Sequence, residues 1–155
     1  MLAERISVDY KEKNIKLAAD WFSGCGVIAF ELLVRKFKAR KVFLFEKNKK
    51  FEKHLLHNLD LLDDKVAQKV DMEVKITDVL SFNHPEKYDL IFLNPPYFYQ
   101  SKNRVSSNLD RKNARFLNGV TYSILVEKVL ENLCMENGKG YLLFRESEIS
   151  TEIDM

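Results

Sequence analysis

Short apolar runs alternate along this chain with longer stretches whose apolar residues return every three or four positions. The first kind suits buried strands and the second amphipathic helices. Residues 2–8 form a candidate helix before the charged stretch "DYKEKN". "IKLAADWF" (15–22) reads as a strand and runs into "SGCG", a glycine turn. In "VIAFELLVRKFKAR" (27–40), Ile28, Leu32, Leu33 and Phe37 keep helical spacing. "KVFLFEKN" (41–48) is a nearly continuous apolar strand with an acid at its end. Phe51, Leu55, Leu59 and Leu62 mark one face of a helix expected over 49–70. Alternation of Met72, Val74 and Ile76 predicts a third strand ending near Asp78, and "YDLIFLNPPY" (88–97) supplies the fourth. A polar stretch from Gln100 to Asn118 is longer than a usual connection, which marks it as functional or disordered. The helix "TYSILVEKVLENLCME" follows, stopped by the glycine turn "NGKG", and "GYLLFRE" (140–146) is the fifth strand.

Strands that alternate with helices imply a mostly parallel sheet with right-handed crossovers and helices on both faces. Ligands of such sheets sit outside the carboxyl ends of the strands, where strand order reverses. Those ends carry Asp20 with Ser23, Gly24 and Gly26, then Glu46, Asp78, and Asn94 with Pro95 and Pro96. Four successive strand ends with polar or glycine-rich features say more than any one alone.

A length of 155 residues fits one domain. With 25 basic against 23 acidic residues, net charge decides nothing about a nucleic-acid partner, so the clustering of charge matters more. Two groups, Arg35 to Lys41 and Lys47 to Lys50, read as solvated faces; a third, Lys102, Arg104, Arg111, Lys112 and Arg115, flanks the fourth strand end. Cys25 and Cys134 lack metal-ligand spacing, which points to reduced thiols, and His54 with His57 lacks a third ligand, so no metal is expected. Without an apolar run near the ~20 residues of a membrane span, and with charge in its first turns, the chain is expected to be a cytoplasmic protein.

Glycines permit positive φ and close backbone approach, and a helix N-terminus presents free N–H groups. Gly24, Gly26 and Ala29 satisfy one form of the dinucleotide fingerprint. That pattern alone does not separate NAD from another adenosine-containing cofactor. Glu46, twenty residues after Gly26, is placed to accept hydrogen bonds from both ribose hydroxyls, and Asp78 to accept from an adenine amine. "NPPY" separates the cofactors. The Asn94 amide oxygen and the Pro95 carbonyl can together accept both hydrogens of a planar –NH2 group, with Tyr97 stacked on the ring that bears it. The prolines fix those acceptors in advance. Hydride transfer needs no such clamp.

The glycine loop, the acid after the second strand and "NPPY" after the fourth together resemble class I S-adenosylmethionine-dependent methyltransferases of the amino-methylating group. "NPPYF" followed by "NLDRKNARF" is most similar to the bacterial tRNA adenine-N6 methyltransferases, where Arg111, Ala114 and Arg115 fit the segment after the Pro-Pro motif. The resemblance covers about residues 15–146. It implies a single Rossmann-like domain over 1–155, lacking the family's last helix and C-terminal antiparallel strands. S-adenosyl-L-methionine is the implied cofactor, held by Asp20, Ser23, Gly24, Gly26, Glu46, Asp78 and Asn94. Asn94, Pro95, Pro96 and Tyr97 would be catalytic, and Tyr97, Phe98, Arg111 and Arg115 would bind RNA, most simply tRNA. Guanine N2 in rRNA, adenine in DNA and glutamine in a release factor share the same clamp. A truncated, non-catalytic subunit is a further reading, in which a second copy or a partner chain covers the exposed sheet edge.

Overall fold

The computed structural model describes residues 2–11, 13, 15–62, 70–96 and 120–144. Its elements are helix α1 (Leu2–Asp9), strand β1 (Ile15–Trp21), helix α2 (Val27–Val34), strand β2 (Ala39–Glu46), helix α3 (Glu52–Asp60), strand β3 (Asp71–Ile76), strand β4 (Leu90–Leu93), helix α4 (Tyr122–Asn132) and strand β5 (Lys139–Leu142). The strands form one sheet in the order β3-β2-β1-β4-β5, and every neighbouring pair is parallel. The expected Rossmann-like architecture is therefore present. β1 is buried almost throughout and β4 completely, as central strands covered on both faces must be.

Alternation along the strands sends side chains to two separate cores. Ala18, Leu44, Leu90 and Phe92 meet Ile6 of α1, Leu32 of α2 and Leu55 of α3 on one face. On the other, Trp21, Phe45, Ile91 and Leu93 meet Leu125 and Val129 of α4, with Val79 and Tyr88 from the β3–β4 connection. Burying a Leu, Ile or Phe side chain is worth roughly 1.5–3 kcal/mol, so these two layers hold the strand ends in place. α1 is tied to β5 by the Tyr141 hydroxyl, which donates to the Asp9 carboxylate at 2.6 Å.

Several boundaries differ from the periodicity. The helix expected to run to Arg40 stops at Val34. Lys36 takes φ 63°, its N–H donates to the Leu33 carbonyl (2.9 Å), and the Phe37 N–H donates to the Leu32 carbonyl (3.0 Å). Those two bonds make a Schellman end without glycine, and buried Phe37 closes it. Apolar spacing therefore outlasts the helix, and β2 begins earlier, at Ala39. The helix expected from 49 opens instead as a 3-10 turn over Lys49–Phe51, because the Asn48 side chain accepts the Lys50 N–H at 3.1 Å. The third strand ends at Ile76 rather than near Asp78, since Asp78 already caps a turn by accepting the Leu80 N–H at 3.1 Å. α4 ends at Asn132, because Leu133 leaves the helix to bridge to Tyr88.

The β3–β4 connection contributes an aromatic box that apolar spacing does not reveal. His84 stacks on Trp21, with ring centroids 5.4 Å apart, and meets Phe45, Phe82 and Tyr88 edge-on or tilted. One ring nitrogen, Nδ1, lies 2.9 Å from the Tyr88 hydroxyl, and Nε2 lies 3.1 Å from the Val79 carbonyl. A carbonyl only accepts, so Nε2 carries the proton and Nδ1 accepts from Tyr88. Burial lowers the pKa of this imidazole below the ordinary 6.5, against the pull of the Val79 carbonyl, and Lys87 lowers it further. An unfolded chain takes up that proton at higher pH than the folded one, so the contribution to stability is lost as pH falls below about 6.5. We expect the urea midpoint to drop between pH 7 and pH 5, and the drop to be smaller in His84→Phe. An identical drop in both proteins would show that His84 does not contribute.

Candidate active site

Strand order reverses between β1 and β4, so the crevice outside their carboxyl ends is the expected ligand site. Trp21 pairs in register with Phe45 on one side and Leu93 on the other. The glycine loop after β1 and the Asn-Pro-Pro turn after β4 consequently leave the sheet as neighbours, with Glu46 one residue past Phe45.

Three residues of the loop, Phe22, Gly24 and Gly26, lie in the left-handed region at φ 62°, 57° and 82°. A side chain at Gly26 would run into the Phe30 ring, whereas one at Gly24 would meet nothing within 4 Å. Gly24 is thus bare backbone facing open space, which is what close approach of a ligand needs. The loop is held from several directions. The Ser23 N–H donates to the Phe45 carbonyl (2.9 Å), and its hydroxyl donates to the Asp20 carbonyl (2.8 Å). The Gly26 N–H donates to the Ser23 carbonyl (2.8 Å) and the Gly24 N–H to Glu46 Oε2 (2.8 Å).

Beneath the loop lies Asp20, 1% exposed and the single buried charged residue among those described. Neither carboxylate oxygen has a hydrogen-bond partner there. Desolvation, above all, holds its pKa well above the ordinary 3.8; the Ala29 backbone at the start of α2 pulls it partly down, and the Glu46 carboxylate pushes it up. The Ala29 N–H is too poorly aligned to count as a full partner, and a buried acid so incompletely satisfied costs about 1–3 kcal/mol or more, so the fold tolerates this one for a reason other than stability.

Glu46, expected to face a ribose, also holds the protein itself. Its Oε2 takes the Gly24 N–H and its Oε1 the Asn48 N–H (2.7 Å). A carboxylate has roughly four acceptor positions, so two bonds leave room for hydroxyl donors. Asp78 is engaged with Lys47 Nζ (2.7 Å) and the Leu80 N–H (3.1 Å). The Lys47–Asp78 pair is largely exposed on the lysine side and is easily exchanged for another partner. Asn94 is exposed, Pro95 is buried and Pro96 is half-buried, so a fixed proline base presents a free amide. Tyr97, Phe98, Arg111 and Arg115 lie outside the described residues, as does the third basic group.

Two side chains at this edge escape the strand-end reading. Asn48 starts the 3-10 turn, and Asn58 of α3 reaches back to the Cys25 carbonyl at 2.9 Å. The signal for Asn58 was there: it lies three residues after Leu55 and four before Leu62, a polar residue on the apolar stripe of α3.

The residues present fit an adenosine-bearing, cationic cofactor: bare backbone at Gly24, spare acceptors on Glu46, and an orphaned buried carboxylate at Asp20. Among the described residues no cluster of His, Cys, Asp and Glu could hold a metal ion, and no helix is long and apolar enough to cross a membrane.

Comparison with known proteins agrees with this architecture. The profile of the family described as Conserved hypothetical protein 95 matches residues 9–149. A glycopeptide N-methyltransferase complexed with S-adenosyl-L-methionine shares the fold at TM-score 0.59 and 16% identity, over 90% of this chain and 51% of that one. A Pyrococcus horikoshii protein described provisionally as an RNA methyltransferase aligns at TM-score 0.57 and 22% identity, over 98% of this chain and 62% of that one. A conserved hypothetical protein from Streptococcus pyogenes aligns at TM-score 0.54 and 19% identity, over 88% and 73%. This chain spans about half the length of the glycopeptide enzyme. No curated protein matches its sequence.

Proposed function

This chain belongs to the Conserved hypothetical protein 95 family, and we propose that it is a cytoplasmic S-adenosylmethionine-dependent methyltransferase acting on an exocyclic amine of a nucleobase in RNA. The observation that carries this reading is the pairing of Trp21 with Leu93, which makes the glycine loop and the Asn-Pro-Pro turn neighbours. A cofactor cradle beside an amine clamp is the arrangement that methyl transfer to nitrogen needs. The fold shared with a glycopeptide N-methyltransferase and with the Pyrococcus protein supports the same class.

Asp20, Glu46, Asp78 and the backbone of Ser23 to Gly26 would hold the cofactor, which supplies an electrophilic methyl group when bound. Asn94 and the Pro95 carbonyl accept the two amine hydrogens and draw the nitrogen lone pair out of conjugation as the nitrogen becomes tetrahedral. Acceptors fixed in advance by two prolines lose little on reorganisation, which is how preorganised polar groups lower barriers. Stacking on Tyr97 or Phe98 would steady a base taken out of its helix. Arg111 and Arg115 would contact phosphates. The Asn-Pro-Pro-Tyr sequence together with Arg111, Ala114 and Arg115 favours adenine N6 in tRNA as the target.

Mass spectrometry of nucleosides from tRNA and rRNA, with and without this gene, tests the proposal. Loss of N6-methyladenosine from tRNA is the expected result. Loss of N2-methylguanosine from rRNA would keep the amine chemistry and replace the target. A purified chain that binds NAD but not S-adenosylhomocysteine would overturn the cofactor assignment.

A further inference from the structure

We infer that Asn58 is a positioning residue for the cofactor loop, acting with Glu46 as a two-point clamp from one strand–helix unit onto another. This inference rests on the methyltransferase reading above only for the identity of the ligand.

Gly24 and Cys25 are consecutive, and the two bonds they make run to the same neighbouring unit. The Gly24 N–H donates to Glu46 at the end of β2, and the Cys25 carbonyl accepts from Asn58 Nδ2 in the α3 helix that follows. An acceptor below and a donor on the helix therefore grip one stretch of backbone through its N–H and its C=O. That stretch is bracketed by left-handed residues, Gly24 itself and Gly26, with Phe22 before them. Left-handed conformation costs a non-glycine residue about 1–2 kcal/mol, so Phe22 holds its geometry only where neighbours over-determine it. The bond from Asn58 bridges 33 residues of sequence and is half-buried, so it is not a solvent-facing accident.

Its position also explains a local oddity of α3. The helix buries Leu55, and its half-buried Asn58 interrupts the apolar stripe that Leu62 resumes. A leucine there would add packing; an amide adds a donor aimed at the loop. Because Glu46 is the residue expected at the ribose and the loop is expected to face the rest of the cofactor, the clamp sets the spacing between both halves of one ligand. Loss of the donor frees the loop to move relative to Glu46.

The test uses the 155-residue chain with Asn58→Asp, which keeps shape but turns the donor into an acceptor facing a carbonyl, and Asn58→Ala beside it. Asn58→Gln restores a donor on a longer arm. Hydrogen exchange at Ser23, Gly24 and Gly26 is followed in the cofactor-free protein, and S-adenosylhomocysteine is titrated calorimetrically at a temperature where circular dichroism shows every variant folded. We expect exchange to quicken and affinity to fall on the order of tenfold in the Asp and Ala variants, a loss of ~1.4 kcal/mol, with Gln closer to wild type. Folded Asp or Ala variants with unaltered loop exchange, or with faster exchange and unaltered affinity, overturn the inference. Failure of the unsubstituted chain to bind S-adenosylhomocysteine would instead overturn the cofactor reading, and loop exchange alone would then decide the clamp.

Discussion

Asn94→Ala is expected to reduce methyl transfer by roughly 10²–10³-fold, the usual cost of deleting one preorganised polar group at a reacting centre, with a much smaller loss of S-adenosylhomocysteine affinity, because Asn94 is only one of the seven residues expected to hold the cofactor. Asn94 is exposed on a base formed by buried Pro95. Its removal leaves no cavity in either core, so lost activity would not reflect lost fold. The Pro95 carbonyl persists in the variant and still accepts one amine hydrogen, which is why the effect is not larger. Asn94→Asp provides the control, because a carboxylate keeps an acceptor of the same shape while it loses the donor and adds a negative charge. Substantial turnover in Asp with little in Ala identifies acceptance from the amine as the task. Equal turnover in Ala and wild type, measured with labelled methyl donor, would remove the clamp from the mechanism.

Strand-end positions were legible in the sequence because period-2 and period-3.6 patterns place elements before their contacts are known. Asp20, Glu46 and Asn94 each follow an apolar run too continuous for a surface strand, and all three lie at carboxyl ends of the observed sheet. Helix ends were less legible. Lys36 ends α2 in a left-handed turn that sequence normally advertises with glycine, so nothing in "VRKFKAR" announced the stop. Polar side-chain bonds to the backbone were hidden for a different reason. Asn58 reaches Cys25 across 33 residues and His84 reaches the Val79 carbonyl inside an aromatic box, and no periodicity encodes which carbonyl an amide or imidazole will meet. The role of Glu46 was read as ligand binding alone, yet its carboxylate also holds the Gly24 and Asn48 backbones. Position could be inferred from spacing; the second partner required the fold.

Asp20→Asn is expected to stabilise the cofactor-free protein and weaken its grip on a cationic cofactor. In the folded chain the pKa of Asp20 stands well above the ordinary 3.8, chiefly because burial penalises the charge. The folded state therefore holds its proton where the unfolded state has released it. Stability from this group falls as pH rises from the ordinary value through the raised one. Asparagine has no proton to release, so the variant gains at neutral pH whether wild-type Asp20 is charged there or not. The gain comes from removing the ionisation penalty alone, since the amide stays a buried polar group without a partner, and thermal unfolding at neutral pH reads its sign. The same carboxylate, with both oxygens free of partners, is the group a ligand ammonium would find. Affinity for S-adenosylmethionine should accordingly fall at least tenfold in the variant. If binding draws Asp20 into its charged form, wild type releases a proton on titration at neutral pH, and calorimetry in two buffers of different ionisation enthalpy detects it. Asp20→Asn should abolish that release. A variant that is less stable than wild type and binds as tightly would show that the buried carboxylate serves the fold and not the ligand.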